Sequence, residues 1–275
     1  MERQLFGKEL RRIRKEKKLS QYELADGICS QAMLSSIELG KYLPNVQIIV
    51  KLCIRLGLNA NQLILNNHYE ISPVEKNKEK CEELCNKHDY AELNTFLESK
   101  PVLNSIETRL EMQAYYYYLA CTQFHLDRDR QESLRSFNLS LAESEKGINS
   151  LSLLALMGIA TVYAQLGKKE STLYYINKVM FKMKAINYEE NLNILFYLKA
   201  FAYFNLNMLV DAYTSIEEGI EFITVHNSHY MLGNIFFLAS KIAEKAEQEN
   251  NQRERIQESK MFEKLFNEKI FRYIS

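Results

Sequence analysis

The chain has 275 residues, 47% of them hydrophobic and 11% aromatic, which is enough to bury sizeable cores in two domains. Its 35 basic and 35 acidic side chains cancel, which excludes a chain-wide attraction to polyanions or to a charged membrane surface. No apolar run reaches the roughly 18 residues of a membrane span, the polar start Met1-Glu2-Arg3-Gln4 predicts no signal peptide, and five scattered cysteines predict reduced thiols in a cytoplasmic protein.

The charge is unevenly distributed. Residues 1–68 carry eleven basic against six acidic side chains, a net +5, which leaves −5 on the rest of the chain. A basic head on an acidic body confines phosphate attraction to the head. Within the head, Leu5 to Lys18 reads as an amphipathic helix, with Leu10 and Ile13 inward and arginines and lysines outward. Ser20-x-x-Glu23 is a capping box that starts a short second helix, whose apolar face is Leu24, Ala25 and Ile28. Gly27 supplies a turn, Ser30 caps a third helix, and Leu34 and Ile37 share its inward face. Pro44 marks the start of a fourth helix over about Asn45 to Leu56, Gly57 stops it, and Leu63 to Leu65 close a short fifth.

Two short helices joined by a tight turn form a helix-turn-helix, in which the first residues of the second helix meet base edges in the major groove. Gln31, Ala32, Ser35 and Ser36 occupy that outward start. Ala32 offers only a methyl contact to thymine, and Met33 either joins the readers or fills a gap in the fold. The pattern L-S-Q-x-E-L-A followed by S-x-x-x-L-S-x-I-E-x-G resembles the Cro/C1-type repressor domain, also called the XRE family, over residues 1 to about 68. That resemblance implies base-reading positions at Gln31, Ala32 and Ser36, with Ser30, Met33 and Ser35 beside them. It also implies phosphate contacts at Gln21 and Lys41 and an internal ion pair between Arg14 and Glu38.

The body predicts an all-α fold. Residues 102–275 contain no proline and few glycines, and apolar residues recur there with helical period. A repeat is visible. Cys121, Ala160 and Ala200 lie 39 and 40 residues apart, each is followed three later by Phe124, Tyr163 or Tyr203, and a small residue returns twelve later at Ser133, Thr172 and Ala212. Weaker units at about 74–107 and 230–272 bring the number to roughly five helix pairs. These look like degenerate tetratricopeptide repeats, which stack into a right-handed superhelix with a concave face. The expected organisation is a DNA-binding domain over 1–68, a linker over 69–80, and a repeat domain over 81–275 for peptide sensing and dimerisation.

The register places Tyr115, Tyr118, Thr122 and His125 on the inner face of one unit. Leu154, Met157, Thr161 and Gln165 follow in the next, then Ile194, Tyr197, Phe201 and Asn205, then Phe236 and Ser240. An aromatic and aliphatic lining with one or two hydrogen-bonding groups per repeat suits a short apolar peptide whose backbone needs partners. For each residue alone, packing in the core is the competing reading.

Other chemistry is weakly signalled. Cys81-x3-Cys85-x2-His88 and His226-x2-His229 are read as helix and loop residues rather than metal sites, since neither shows a full ligand set. Gly167-Lys168-Lys169 lacks the upstream glycine and the hydroxyl residue of a phosphate-binding loop, and no nucleophile elbow occurs. No enzyme and no cofactor is expected.

A repressor-type head joined to tetratricopeptide-like repeats resembles the peptide-sensing regulators of Gram-positive bacteria, the PlcR group most and the Rgg type more distantly. The resemblance implies a cytoplasmic homodimer that binds double-stranded DNA at a palindromic operator and is controlled, in quorum sensing, by a short imported hydrophobic peptide. Relatives grip that peptide with asparagines on inner helices; here Thr161, Leu198 or Phe201 stand at the corresponding places, with Asn205 nearby. The connector Asn66 to Lys80, with Pro73, is expected to carry the switch between the heads. A constitutive regulator whose repeats serve only dimerisation or protein contacts is the alternative.

Overall fold

In a computed structural model of the chain, the described residues are 7, 10–15, 17–42, 44–56, 71, 75–126, 129–144, 148–266 and 268–272. Among them every regular element is helical. Leu63 to Leu65, Gly57, Pro73 and most of the connector lie outside the described residues. The chain divides into two compact units, Met1–Asn67 and His68–Ser275.

In the first unit, residues 10–15 are helical (α1) and are followed by α2 (Gln21–Ala25), α3 (Gln31–Glu38) and α4 (Val46–Leu56). The capping box forms as read: Glu23 N donates to Ser20 Oγ at 3.1 Å, and Ser20 N donates to Glu23 Oε2 at 2.6 Å. Gly27 takes φ +64°, which turns the chain without a Cβ clash. Ser30 Oγ then accepts from Met33 N at 3.1 Å and opens α3. At the other end, Gly40 takes φ +67°, its N–H donates to Ile37 O at 2.9 Å and Lys41 N donates to Ser36 O at 2.9 Å. This is a Schellman ending, and it sets Lys41 immediately past α3. Asn45 Oδ1 accepts from Ile48 N at 3.0 Å to start α4. Leu10, Leu24, Leu34, Ile37, Leu52 and Leu56 are fully buried together, each worth about 1.5–3 kcal/mol of transfer free energy.

The second unit is a stack of helix pairs. They are α5 (Glu75–Asn86) with α6 (Tyr90–Leu97), α8 (Arg109–His125) with α9 (Arg130–Glu143), α10 (Ser150–Gln165) with α11 (Lys169–Met183), α12 (Asn193–Asn205) with α13 (Leu209–Val225), and α14 (Leu232–Lys245) with α15 (Glu249–Phe266). A short α7 (Lys100–Leu103) follows the first pair. The repeat has a backbone signature. Gly167, Asn207 and Glu247, spaced 40 residues apart, and His88 all take positive φ in the turn between the two helices of a pair. A left-handed residue there reverses the chain in few residues, and glycine or asparagine adopts it at least cost.

Ser133, Thr172 and Ala212, the small residues of the repeat, are all fully buried. They let the second helix of each pair approach the first. Gly158 serves the same end between pairs, because a Cβ there would run into the ring of Phe137. α10 is buried along nearly its whole length, from Ser150 to Val162.

Candidate nucleic-acid interface and inner face of the repeats

In the head, the outward start of α3 holds Ser30, Gln31 and Ala32 exposed, with Ser35 and Ser36 half-buried and Lys41 exposed beyond the helix end. Met33 is half-buried against the head core, as a gap-filler would be. Ser36 Oγ donates to Ala32 O at 3.0 Å, so in the free head its hydroxyl is turned back on its own helix.

A polar chain runs from the outward start of α3 into the interior. Gln31 Nε2 donates to Gln21 Oε1 at 2.7 Å, and Gln21 Nε2 donates to Glu38 Oε2 at 2.7 Å. Arg14 then binds Glu38 through two of its three guanidinium nitrogens, Nε at 2.6 Å and Nη2 at 2.9 Å, and gives Nη1 to Leu19 O at 2.8 Å. Burial pushes the Glu38 carboxyl up, but the hydrogen bonds from Arg14 and Gln21 and the Arg14 charge outweigh it and hold it below the usual carboxylate range. The hydrogen bond to Glu38 raises the Arg14 guanidinium still further. Gln21 is thus tied to Gln31 on one side and to a buried ion pair on the other.

In the repeats, the predicted inner residues divide by burial. Tyr115, Tyr118, Thr122, Leu154, Met157, Thr161, Tyr197, Phe201, Phe236 and Ser240 are buried, whereas His125, Gln165, Ile194 and Asn205 are half-buried. Several predicted hydrogen-bonding groups are spent on nearby carbonyls of their own helices. Thr161 Oγ1 donates to Met157 O at 2.9 Å, Ser240 Oγ to Phe237 O at 2.6 Å, Thr122 Oγ1 to Leu119 O at 2.8 Å, and Asn205 Nδ2 to Phe201 O at 2.7 Å. The oxygens left over are different ones: the buried Gln165 Oε1 and Tyr197 OH, with Gln123 Oε1 outside the predicted set, have no hydrogen-bond partner among the described residues.

A second cluster sits where the first pair meets later ones. The Tyr90 ring stacks on His125 at 3.8 Å between centroids. Burial raises the Tyr90 hydroxyl well above its ordinary pKa, and Cys85, Cys121, Tyr197 and Tyr230 around it push the same way. Burial pushes Cys85 up to about 12 and Cys121 well above its usual value, so both thiols stay protonated core groups. Among the described residues no group of three or more His, Cys, Asp or Glu is placed to hold a metal ion. Burial, helped by His88 and Arg130, drives His125 down to about 3. Burial also lowers His88, outweighing its backbone hydrogen bond.

Sequence reasoning missed Asn234, whose side chain makes three hydrogen bonds to residues 268–271. Its Nδ2 donates to Lys269 O at 3.1 Å and to Glu268 Oε1 at 2.7 Å, and its Oδ1 accepts from Phe271 N at 2.8 Å. The available signal was a lone amide in the apolar run Leu232-Gly233-Asn234-Ile235-Phe236. Asn193 does the same one repeat earlier, donating to Ser228 Oγ and Tyr230 O at 3.1 Å each.

Residues 10–63 match the family described as helix-turn-helix. No curated protein sequence matches the chain. Among solved structures the chain is similar to Bacillus thuringiensis PlcR in complex with the peptide PapR7 and DNA, with TM-score 0.68, 18% identity and 96% of each chain covered. It is also similar to the apo form of that protein, with TM-score 0.57, 15% identity and coverage of 96% and 95%. The complex of ComR from S. thermophilus with DNA and its signalling peptide ComS aligns with TM-score 0.50, 15% identity and coverage of 95% and 94%. At such identities what is shared is the fold. The chain thus carries a helix-turn-helix domain over residues 10–63 and, across nearly its whole length, has the fold of PlcR.

Proposed function

We propose that the chain is a sequence-specific DNA-binding transcriptional regulator, cytoplasmic and acting as a homodimer, whose activity is set by a short apolar peptide bound on the inner face of its repeats. The head supplies the DNA half. Gln31, Ala32, Ser35 and Ser36 read base edges from α3, Ser30 and Met33 seat the start of that helix, and Gln21 and Lys41 contact phosphates. A net +5 confined to residues 1–68 supports this division of labour.

The observation that carries the peptide half is a set of three buried oxygens without a partner among the described residues, Gln123 Oε1, Gln165 Oε1 and Tyr197 OH, on the first helices of three successive repeats. A buried polar atom without a partner costs about 1–3 kcal/mol, which a ligand N–H donor would recover. His125, Ile194 and Asn205, half-buried beside them in the register, complete the lining. The resemblance in fold to PlcR bound to PapR7 and DNA supports the same reading.

Fluorescence anisotropy on DNA upstream of the protein's own gene, at fixed salt, tests it. A shift in affinity on titrating short hydrophobic peptides encoded nearby is the expected result. Tight specific binding that no peptide alters would instead favour a constitutive regulator whose repeats serve only dimerisation.

A further inference from the structure

After α15, residues 268–272 form no regular secondary structure and lie against the start of the repeat domain. Its backbone is read as a bound peptide strand would be. Asn234 grips the carbonyl of Lys269 and the N–H of Phe271, two residues apart on one edge. His88 Nε2–H donates to the same Lys269 carbonyl at 3.0 Å, which leaves the neutral ring's Nδ1 to accept from Tyr90 OH at 3.1 Å. The Phe271 side chain lies edge-on to His125 at 4.8 Å and to His88 at 5.3 Å, with Tyr90 at 6.4 Å, and is 9% exposed. Glu268 takes the N–H groups of Gly233 at 3.2 Å and Asn234 at 3.1 Å. Gly233 leaves room for this, since a Cβ there would come within 2.7 Å of Ile270 Cδ1 and 3.2 Å of Glu268 Cδ.

The equivalent grip one repeat earlier differs in one respect. Asn193 holds residues 228–230, and that segment runs directly into α14, which fixes it. Residues 268–272 have no helical hydrogen bonds of their own among the described residues; they are held by the acid, the amide, the aromatic seat and Arg272, which pairs with Glu263 at 2.7 Å and lies over the Phe237 ring. Such a set of contacts can exchange one extended segment for another.

We propose that Asn234 and the His88–Tyr90–His125 cluster form a recognition seat for an extended peptide with an acidic residue three positions before an aromatic one, and that residues 268–272 are its resident occupant. His125 belongs both to the seat and to the predicted inner face, so this deepens the peptide-sensing reading, adding one acidic position to an otherwise apolar ligand, and rests on it. An incoming peptide must displace the chain's own segment, which sets a threshold for the signal.

The test uses a fluorescein-labelled peptide Glu-Lys-Ile-Phe-Arg, the sequence of residues 268–272, and the full-length protein. Anisotropy should show weak binding to the wild type, binding at least tenfold tighter to Phe271→Ala, whose own segment has lost its anchor, and loss of that gain in Phe271→Ala/Asn234→Ala. Equal affinity for wild type and Phe271→Ala would overturn the proposal. Should Phe271→Ala fail to fold, amide hydrogen exchange on the wild type decides. A saturating peptide should speed exchange at the Phe271 amide at least tenfold, and unchanged protection would overturn the idea. Neither measurement reads DNA, so a failure of peptide control over DNA binding leaves this result standing and is distinguishable from it.

Discussion

Gln31 donates to Gln21 at 2.7 Å, so the residue proposed to read bases and the one proposed to contact phosphate brace each other in the free head. Their partner beneath is Glu38, held by Arg14. The outward start of α3 is therefore braced by a line of side chains that ends in a buried ion pair, which would lower the ordering cost of the proposed DNA binding.

Gln31→Ala is expected to relax base preference by about 1–3 kcal/mol, because it removes a base-edge contact and loosens Gln21. Lys41→Ala should weaken cognate and scrambled DNA alike and reduce the salt slope by about one. Anisotropy over a salt series on both DNAs checks the pair. Identical behaviour of the two variants would contradict the roles assigned to them.

Arg14→Ala leaves the Glu38 carboxylate buried and unpaired, since its side chain is 1% exposed. Breaking such a pair costs about 3–5 kcal/mol, enough to unfold the head selectively. The folded Glu38 carboxyl lies below its unfolded value, so its contribution is present above the unfolded carboxylate pKa and is lost as pH falls through the folded one. An acid titration of head unfolding by circular dichroism should show that loss in the wild type and not in Glu38→Gln.

His125 is neutral when folded, with its pKa driven down to about 3 by burial, next to His88 and Arg130 and stacked on Tyr90. The unfolded chain binds a proton that the folded one refuses between about pH 6.5 and 3. Stability of the repeat domain is therefore full above about pH 6.5 and falls on acidification, by up to about 2 kcal/mol at pH 5. Urea melts at pH 7.5 and 5 measure it, and a His125→Gln variant should lose less over that interval.

Tyr197→Phe removes a buried hydroxyl that has no partner among the described residues. The variant should melt at or above the wild-type temperature, with a gain of up to about 1 kcal/mol, because no hydrogen bond is lost and a desolvated oxygen is removed. The same change should weaken the apolar peptide of the proposed function. A marked fall in melting temperature would show that the hydroxyl is satisfied in solution.

Gly158→Ala should be destabilising by about 1–3 kcal/mol, although alanine is the better helix former, because the new methyl overlaps the buried Phe137 ring. A Phe137→Leu replacement in the same background should recover part of the loss. Chemical denaturation of the four proteins gives the coupling energy directly.

Features that depend on neighbours a few residues away were legible in the chain before folding. Ser20 with Glu23, Ser30 with Met33, and Gly40 with Lys41 sit within one or two turns, so their hydrogen bonds follow from spacing alone. Helical period and the small residues at Ser133, Thr172 and Ala212 likewise revealed the stacked pairs, because each repeat meets the same packing demand. Which inner polar atoms are available was decided by tertiary structure. Thr161 and Ser240 share the inner register with Tyr197, yet their short hydroxyls reach carbonyls of their own helices, whereas the phenol of Tyr197 extends past them into a buried space without a partner. The amides Asn193 and Asn234 recur one repeat apart, but the partner each one grips, and the contact of His88 with Lys269, 181 residues away along the chain, cannot be read from that spacing. That last contact exists because the stack brings the segment after α15 back to the first pair, and a distance set by the summed geometry of five helix pairs cannot be read from any local pattern.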